Sequence, residues 1–584
     1  MFEYAKSFIG SLWSGKRSLD DEDDNDTPDQ KRIRSEDVSR DGEGETLHRI
    51  KVSNFNKNEW KKVKKYLLEL GCKPMSKAPK WDYGIINASV KAKDEYNKRM
   101  EKLHNKKNGR KAQKPGAEDD TRTPAEKLAD QVTPLYKLSY EEQLKKKNNK
   151  GVSVMAKLKG QLANIPKTDR TERAMKETEW SRTKGRLPCK MYDPVPSPDI
   201  NGYRTKCEFT IGKDLDGKPT VGFLLGLYKL GITAVLDPKD CLNVPDKAKR
   251  VASYMQDYIR DSEYPVYDRV EKDGVWRTLM TKTQRTGEVM VVIQMKTTNL
   301  TEEQVDNEKK KLVEFWNGLK DKPEDERLDI TTLLFQAWDG HSNGMTDKAP
   351  VEVLTGDGIV HEELLGCKFR ISSSAFFQIN TPAAEVLYTK CAEWCRINKD
   401  RKTTLLDLCC GTGTIGITMA KSVDRVIGIE MVPEAIEDAK LNASINNITN
   451  VTYYANKVED RIDVIGDATN EDVVAVLDPP SCDSRQALGN FYTLCKASSK
   501  RVQGEAFRPS RAMTIDLFPH TDHCELMVEF VRGEYLKDLE QDEDAKAAEK
   551  LIQDKQKEVE EKEANGENEN ENENESKDDT SDAK

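Results

Sequence analysis

The residues best suited to chemistry lie in four short segments of the C-terminal half of the chain. Two of them are A-F-F-Q-I-N at 375–380 and a small-residue loop after an apolar run, D-L-C-C-G-T-G-T-I-G, which begins at Asp407. The other two are D-P-P-S-C at 478–482 and D-L-F-P-H-T-D-H-C-E at 516–525. Carboxylates, amides and a thiol are the groups of acid–base and nucleophilic catalysis. A Gly-rich turn between a strand and a helix lets the backbone approach a cofactor closely.

The loop after Asp407 has the spacing D-x-x-x-G-x-G, with Gly411 and Gly413 as its glycines. This differs from the phosphate-cradling patterns G-x-G-x-x-G and G-x-x-x-x-G-K-[ST]. No lysine follows the glycines, so a triphosphate has no cationic partner here. The pattern favours a small cofactor such as S-adenosylmethionine, with Asp407, Gly411 and Gly413 among its binding residues.

Polar side chains follow the next predicted strands. Glu430 ends the second strand about twenty residues past the glycines, where a carboxylate receives ribose hydroxyls in such folds. Asn456 stands at the tip of the third strand, in reach of an adenine amine, and Asp478 ends the fourth. Gln378, in a run of two aromatics and two amides before a helix, is expected to bind the cofactor, although a buried strand end explains that run as well. Together these features predict a methyltransferase domain.

Composition divides the chain into charged tails and a mildly basic body. The 584 residues carry a net charge of −9. Residues 533–584 hold 20 acidic and 8 basic side chains, and residues 18–46 hold 12 acidic and 4 basic ones. Residues 47–532 therefore carry a net positive charge, which is compatible with a polyanionic partner or with an ordinary solvated surface.

Twelve cysteines occur without a C-x-x-C pair, which disfavours a zinc or iron–sulfur site, and no metal is expected. No apolar run is long enough to span a membrane. Reduced thiols predict the nucleus or the cytosol. Basic pairs near residues 16 and 32 are explained equally by a two-part nuclear-import signal and by a solvated charge run.

The fold class predicted is α/β, with a Rossmann-like S-adenosylmethionine-dependent methyltransferase domain behind a mixed antiparallel β subdomain and an N-terminal α+β domain. In that α+β domain, strand–helix–strand–helix resembles an RNA recognition motif, with Phe55 and Tyr83 as the aromatics that would stack on bases; protein contact is the alternative. In the mixed subdomain, Arg204 and Lys206 are expected to contact RNA. The boundaries are a disordered tail at 1–46, the α+β domain at 47–113, a helical linker at 114–185, the mixed subdomain at 186–365, the methyltransferase domain at 366–532 and a disordered acidic tail at 533–584.

The four segments together resemble the uracil-5 RNA methyltransferase family. Ala375-Phe376-Phe377-Gln378, the Gly-rich loop, Asp478-Pro479-Pro480 and the D-L-F-P-H-T-x-H-x-E segment carry this resemblance. The front end is similar to the homologue A branch of the eukaryotic tRNA (uracil-5-)-methyltransferases. The resemblance covers roughly residues 47–532 and implies methylation of the T-loop uridine of tRNA (m5U54) from S-adenosylmethionine.

The resemblance also implies two catalytic residues. Glu525 matches the general base of the family. The nucleophile of the family stands in S-C-N-P, and Ser481-Cys482-Asp483-Ser484 is the matching segment, so Cys482 is its counterpart here. The following A-L-G-N-F-Y-T-L-C matches the continuation of the family's motif.

The chain departs from the family directly after Pro480. In the family a helix and a strand separate D-P-P from S-C-N-P, whereas here Ser481 follows at once. Because a parallel crossover needs a dozen or more residues, the fifth strand and its preceding helix are expected to be absent. We hypothesise that the join reflects a spliced or misjoined transcript and that it impairs activity, while Cys482 stays near the cofactor.

Two other functions remain open at this stage. D-P-P-S-C is superficially similar to the D-x-P-C-S loop of RNA cytosine-5 methyltransferases, although those enzymes lack the D-L-F-P-H-T-x-H-x-E segment. A catalytically impaired isoform that binds or folds tRNA is the third reading, and the missing segment favours it.

Overall fold

The computed structural model describes residues 122–165, 171–226, 233–340, 342, 344–461, 472–478, 484–497 and 506–532, together with the backbone of four strands nearer the N-terminus. The chain divides into two compact units, Arg17–Arg122 and Thr123–Lys584 with Met1–Lys16. The predicted nucleophile Cys482 and the predicted aromatic Phe55 lie outside the described residues.

The N-terminal unit contains one antiparallel sheet with the strand order β1-β2-β4-β3. Its strands are β1 (Ser39–Arg40), β2 (Thr46–Ser53), β3 (Lys73–Pro74) and β4 (Tyr83–Ser89). The long strands β2 and β4 correspond to the two strands expected in this region, and Tyr83 begins β4. The helices expected between and after them lie outside the described residues, so the likeness to an RNA recognition motif stays a prediction.

The larger unit alternates helices and strands along the chain. Its helices are α1 (Pro124–Val132), α2 (Tyr140–Ala163), α3 (Glu172–Glu177), α4 (Asp246–Asp261), α5 (Glu302–Gly318), α6 (Thr381–Trp394), α7 (Thr414–Met419), α8 (Pro433–Ile445) and α9 (Ser484–Cys495). Its strands are β5 (Lys190–Met191), β6 (Lys206–Lys213), β7 (Pro219–Leu224), β8 (Val235–Leu236), β9 (Trp276–Thr283), β10 (Val289–Met295), β11 (Thr332–Ala337), β12 (Glu352–Thr355), β13 (Ile359–Leu364), β14 (Cys367–Ser372), β15 (Thr403–Leu408), β16 (Arg425–Glu430), β17 (Val451–Ala455), β18 (Asp472–Leu477), β19 (Arg508–Ile515) and β20 (Glu525–Val531). Among the helices described, none is long and apolar enough to cross a membrane.

A seven-stranded sheet forms the middle of this unit, with the order β12-β11-β10-β9-β6-β7-β8. Neighbouring strands are antiparallel except for β10 and β11. The D-G and T-G pairs of the sequence close its two hairpins, with Gly217 at φ 81° and Gly287 at φ 92°, conformations that glycine adopts at little cost. One face packs its apolar side chains against α4 and α5 in a single core.

The predicted methyltransferase domain is built on the parallel sheet β17-β16-β15-β18. All six residues of the central strand β15 are buried, as expected for a parallel strand covered by helices on both faces. A separate sheet of order β20-β19-β5 follows. The strands predicted after the Gly-rich loop thus occur in the order and the direction that the sequence implied.

The two sheets are not joined by any strand that the structure describes. The edge of β18 away from β15 and the edge of β20 away from β19 have no described strand partner. No residue of β18 is fully buried, in contrast to β15. This is the position at which the family pattern led us to expect a missing fifth strand. Residues 479–483, between Asp478 and α9, lie outside the described residues.

Helix α2 lies in the stretch predicted as a helical linker, but it packs against other elements of the larger unit. A capping box between Ser139 and Glu142 starts the helix, which satisfies its first free amides. Met155, Leu158 and Leu162 then pack against α9 and β19. The sequence pattern predicted the helix, whereas its docking is a feature of the tertiary structure.

Candidate active site

The Gly-rich loop leaves β15 in left-handed backbone conformations. Cys409, Gly411 and Gly413 have φ values of 64°, 53° and 80°. The amides of Cys409 and Cys410 both donate to the carbonyl of Ile429 in β16, at 2.8 and 3.1 Å. A positive φ at a non-glycine residue such as Cys409 costs free energy and persists only where the surrounding structure stabilises it. The two hydrogen bonds to Ile429 provide that stabilisation.

Gly413 is required by its surroundings as well as by its φ. A Cβ atom there would lie 2.6 Å from the hydroxyl of Tyr453 and 3.2 Å from the Cβ of Ala439. Around Gly411, by contrast, a Cβ would meet nothing within 4 Å. The Tyr453 hydroxyl is buried and finds no hydrogen-bond partner among the described atoms. Sequence reasoning missed Tyr453, because nothing in a strand sequence shows which side chain lies under a distant loop.

Asp407 supports the loop from beneath. Its Oδ2 accepts a hydrogen bond from the Gly416 amide at 2.8 Å, and the residue is 1% exposed. Burial raises the pKa of Asp407 to about 7, and the charges of Asp478 and Glu430 contribute to the shift. The structure therefore directs this carboxylate towards the start of α7, so that Asp407 acts on the cofactor loop through the backbone.

Glu430 lies at the next strand tip and joins two loops. Its Oε1 accepts from the amides of Met431 and Val432 at 2.7 and 3.0 Å, and its Oε2 accepts from the Gly411 amide at 3.3 Å. The neighbouring Asn456 donates its backbone amide to the Glu430 carbonyl at 2.9 Å and keeps its side chain exposed. Glu430 and Asn456 therefore stand side by side at the carboxyl edge of the sheet.

Asp478 at the end of β18 contacts Gln378 from the segment before α6. The Nε2 of Gln378 donates to Asp478 Oδ2 at 3.4 Å, a long hydrogen bond. Burial raises the pKa of Asp478 to about 6, against the lowering effect of Gln378. The structure thus brings together two residues that are 100 positions apart in the sequence.

Glu525 is the first residue of β20 and pairs with Ile515 of β19. Removal from water, together with the negative charge of Asp478, raises the pKa of Glu525 to about 8. A carboxylate this basic suits a group that takes a proton from carbon. The predicted general base therefore shares its electrostatic environment with the predicted cofactor residue Asp478.

The chemistry of this edge fits S-adenosylmethionine. The negative charges of Asp478 and Glu430 each raise the pKa of Asp407, and a cationic sulfonium or ammonium group would offset that repulsion. The left-handed loop holds its backbone open at Gly411. The described residues contain no group of three or more His, Cys, Asp or Glu side chains placed to hold a metal ion.

The two aromatics of the A-F-F-Q segment point in different directions. Phe377 packs in the core and contacts Phe369, with ring centroids 5.8 Å apart. Phe376 is 66% exposed. Only one of the two rings is therefore free to meet a ligand, which the sequence alone did not distinguish.

Arg204 and Lys206, predicted to contact RNA, flank the start of β6. Between them, the Thr205 amide donates to the Ile379 carbonyl at 2.8 Å, which ties β6 to the segment that carries Gln378. Lys206 Nζ forms an ion pair with Glu208 at 3.0 Å. The structure thus places this pair beside the candidate site.

Sequence reasoning missed Lys282, which faces Lys206 across the β6–β9 pair. Its buried Nζ donates to the carbonyls of Ser372 and Ala375 at 2.6 and 2.9 Å. Burial, together with the positive charge of Lys206, lowers the pKa of Lys282 to about 7. No local signal distinguishes this lysine from a solvated one, since its partners are about ninety residues away in the chain.

The parallel sheet, the strained Gly-rich loop and the carboxylates at its edge define a Rossmann-like methyltransferase domain. Residues 399–499 match the family described as a methyltransferase domain. The chain is 36% identical over 446 residues to tRNA (uracil-5-)-methyltransferase homolog A of Homo sapiens, covering 72% of this chain and 69% of the human protein. It is 34% identical over 441 residues to homolog B of the same organism, covering 70% of this chain and 84% of that protein. The chain therefore belongs to the tRNA (uracil-5-)-methyltransferase family.

Among solved structures, the chain is also similar to the Pyrococcus abyssi tRNA (uracil-54, C5)-methyltransferase in complex with S-adenosyl-L-homocysteine. The two share 20% sequence identity with a TM-score of 0.44, over 68% of this chain and 85% of the archaeal one.

The two loop glycines should respond differently to alanine. A left-handed alanine costs about 1 kcal/mol, so we expect Gly411→Ala to lower the free energy of unfolding by about that much. Gly413→Ala adds an overlap with Tyr453 and should cost about 1–3 kcal/mol more. Urea unfolding of both variants measures the difference. The double variant Gly413→Ala/Tyr453→Phe, which lacks the Tyr453 hydroxyl and therefore the overlap, should recover part of the loss. Equal losses in the two single variants would contradict the role of Tyr453.

The raised pKa of Glu525 predicts a pH-dependent stability. Because the folded state favours its neutral form, its contribution is fully present below the ordinary pKa of 4.5 and is lost as the pH rises through about 8. Glu525→Gln should therefore become more stable relative to the wild type between pH 5 and pH 8. Thermal unfolding of both proteins between pH 5 and pH 8 measures this change in relative stability. A constant difference in melting temperature would exclude a raised pKa.

Proposed function

We propose that this chain transfers a methyl group from S-adenosylmethionine to C5 of a uridine in tRNA, and that the target is the T-loop uridine (m5U54). The observation that carries this proposal is the placement of Glu525, buried at the start of β20 and with a raised pKa, where it senses the charge of Asp478, which lies beside Gln378 at the end of β18. Membership of the tRNA (uracil-5-)-methyltransferase family supports it.

The chemistry requires covalent catalysis, because C5 of uracil is a poor nucleophile. In the proposed mechanism the Cys482 thiolate adds to C6 and turns the base into an enolate that is nucleophilic at C5. The target base must leave its stack for the thiolate to reach it. The assignment of Cys482 comes from the S-C-D-S segment, since this residue lies outside the described part of the chain.

Glu525 is proposed to take the C5 proton after the methyl group has been transferred. Loss of this proton lets the electron pair of the C5–H bond form the C5–C6 double bond, which expels the Cys482 thiolate. With its pKa near 8, the Glu525 carboxylate holds that proton better than an ordinary glutamate does. S-adenosylmethionine supplies the electrophilic methyl group when bound.

The cofactor would be held by the residues at the sheet edge. Glu430 would accept hydrogen bonds from the ribose hydroxyls through carboxylate lone pairs that its backbone amide donors do not use. The exposed side chain of Asn456 would contact the adenine. Asp478 and Gln378 would lie on the other side of the Gly-rich loop. The negative charge of Asp478 would favour the cationic end of the cofactor.

Contacts to tRNA are proposed for Phe55, Tyr83, Arg204 and Lys206. Stacking on an aromatic ring and ion pairs with phosphates are the usual means by which such side chains bind RNA. The net positive charge of residues 47–532 and the position of Arg204 and Lys206 beside the Gln378 segment support this assignment. We further propose a nuclear or cytosolic location.

A second candidate function is a tRNA-binding or tRNA-folding factor with impaired turnover. The observation that favours it is the interrupted sheet, in which neither β18 nor β20 has a described strand partner on its outer edge. A parallel sheet without an interior strand leaves ladder hydrogen bonds unmade. The two functions share the substrate and differ only in turnover.

One assay separates the candidates. The protein is incubated with unmodified tRNA and labelled S-adenosylmethionine, and the labelled nucleoside is identified. We expect label in m5U that disappears with Cys482→Ala, whereas Cys495→Ala, which alters a buried thiol outside the proposed chemistry, should keep it. Label in m5C would instead indicate the cytosine-5 reaction, and tRNA binding without label the folding factor. Robust m5U synthesis from a transcript that reads continuously across codons 478–484 would contradict the proposed impairment.

The rate should depend on pH through the general base. Because only ionised Glu525 accepts a proton, kcat/KM is expected to rise about tenfold per pH unit below the pKa of the free enzyme and to level off near pH 8. Glu525→Gln should abolish turnover and let the covalent RNA adduct accumulate. A pH-independent rate in a regime limited by proton abstraction would exclude Glu525 as the base.

A further inference from the structure

The loop between β19 and β20, residues 516–524, is held at four consecutive carbonyl groups. Four successive carbonyl oxygens, those of residues 517 to 520, accept hydrogen bonds from four different parts of the chain. The donors, in that order, are Asn380 Nδ2 at 3.0 Å, Lys147 Nζ at 2.9 Å, the Tyr203 hydroxyl at 2.9 Å and the Leu135 amide at 2.8 Å. A loop fixed at four consecutive peptides has little freedom left.

The charged contact among these four comes from Lys147 of α2. Its Nζ forms an ion pair with Asp516 Oδ1 at 2.7 Å, and both side chains are only 1% exposed. Asp516 Oδ1 also accepts from the Phe518 amide at 2.9 Å, and Oδ2 from the Tyr140 hydroxyl at 3.2 Å. A buried pair of this kind is stable only when its remaining hydrogen-bonding groups are satisfied, as they are here.

Helix α2 adds a second set of contacts to the same loop. Gln143 accepts from the His520 amide at 2.8 Å with its Oε1, and its Nε2 lies 3.2 Å from His520 Nδ1. His520 itself has a φ of 65°, a left-handed conformation for a non-glycine residue. Residues 140, 143 and 147 lie on one face of the helix, so α2 meets the loop along a continuous stripe.

Within the basic run 145–147, Lys147 reaches the buried side of the loop, whereas Lys146 forms an exposed ion pair with Asp522 at 3.4 Å. Lys145 and Lys146 are exposed and Lys147 is buried. Of the three, Lys147 alone is placed by the helical period on the face that carries Tyr140 and Gln143. Burying a lysine costs free energy, and that cost is met here by the bonds to Asp516 and Phe518.

The loop ends at the proposed general base. Ile515 and Glu525 are paired across β19 and β20, so the loop leaves the ladder at one partner and returns at the other. We propose that Lys147 is a positioning residue for methyl transfer, which holds residues 516–524 through Asp516 and thereby sets the position of the Glu525 carboxylate. This inference rests on the proposed function of Glu525.

A positioning role can be distinguished from a role in stability alone. Lys147 is not among the charges that shift the pKa of Glu525. Loss of its positive charge would, by direct electrostatics, only raise the pKa of a nearby carboxylate. Release of the loop would instead let water reach Glu525 and lower its pKa towards the ordinary value of 4.5. The sign of the change therefore identifies the cause.

The test compares Lys147→Met with Lys145→Met, a matched change at an exposed position on the same helix. We expect Lys147→Met to lower kcat about 100-fold, as for a catalytic group displaced by about 1 Å, with KM for tRNA unchanged. The covalent RNA adduct should accumulate because proton abstraction is the slowed step. Titration of Glu525 by NMR of ¹³C-labelled glutamate, assigned with Glu525→Gln, should move to lower pH. Lys145→Met should change none of these.

Lys147→Met/Asp516→Asn keeps the measurement possible if the single variant does not fold. It removes both charges and retains an acceptor for the Phe518 amide, and the same results are expected for it. An unchanged kcat or an unchanged Glu525 titration in the folded variant would overturn the proposal, even if the melting temperature falls. If the wild-type protein makes no m5U, the proposed function fails, while the Glu525 titration still decides whether Lys147 positions this residue.

Discussion

The Asp407 carboxylate, buried at the end of β15, accepts a hydrogen bond from the Gly416 amide, and the geometry of the cofactor edge depends on this bond. It connects the central strand to the start of α7 across a loop that contains three left-handed residues. Without such a bond the strain of Cys409, Gly411 and Gly413 would favour other loop conformations. The same burial raises the pKa of Asp407 to about 7. One side chain therefore both supports the loop and contributes to the charge of the site.

Several carboxylates near the same edge of the sheet have pKa values above the ordinary range. Asp407, Asp478 and Glu525 all have raised pKa values because they are removed from water, and Asp478 contributes to the shifts of the other two. Such an arrangement is costly for a structural purpose alone and is typical of functional sites. It favours a cationic ligand on one side and a strong base on the other, which are the two requirements of methyl transfer to carbon followed by proton loss.

The contacts that hold the loop before Glu525 and the Gly-rich loop come from elements other than the outer edges of β18 and β20. Glu525 is positioned by α2 and by contacts from α6 and the segment before β6, which do not involve the edge of β18. The cofactor loop is likewise held by β16 and α7. We therefore expect any effect of the join after Pro480 to fall on the nucleophile segment and on the edges of β18 and β20.

The sequence by itself determined the parts of this protein whose signals are local. The strand–loop–helix at Asp407, the acid that ends the next strand and the turns at Gly217 and Gly287 each arise from neighbours in the chain, and the structure places all of them as expected. The succession of these strands along the chain was predicted as well, whereas their spatial order in the sheet was not.

Only the tertiary structure decided which distant groups meet. Lys147 and Asp516 are 369 positions apart, and Gln378 and Asp478 are 100 positions apart. A helical period predicts α2 as a helix, but it cannot show that the buried lysine of α2 contacts the loop of residues 516–524, which precedes Glu525. The same limit applies to Tyr453 beneath Gly413 and to Lys282 beneath the segment before Gln378. Hydrophobic periodicity reports that a face is buried, whereas the identity of its partner depends on the packing of the whole chain.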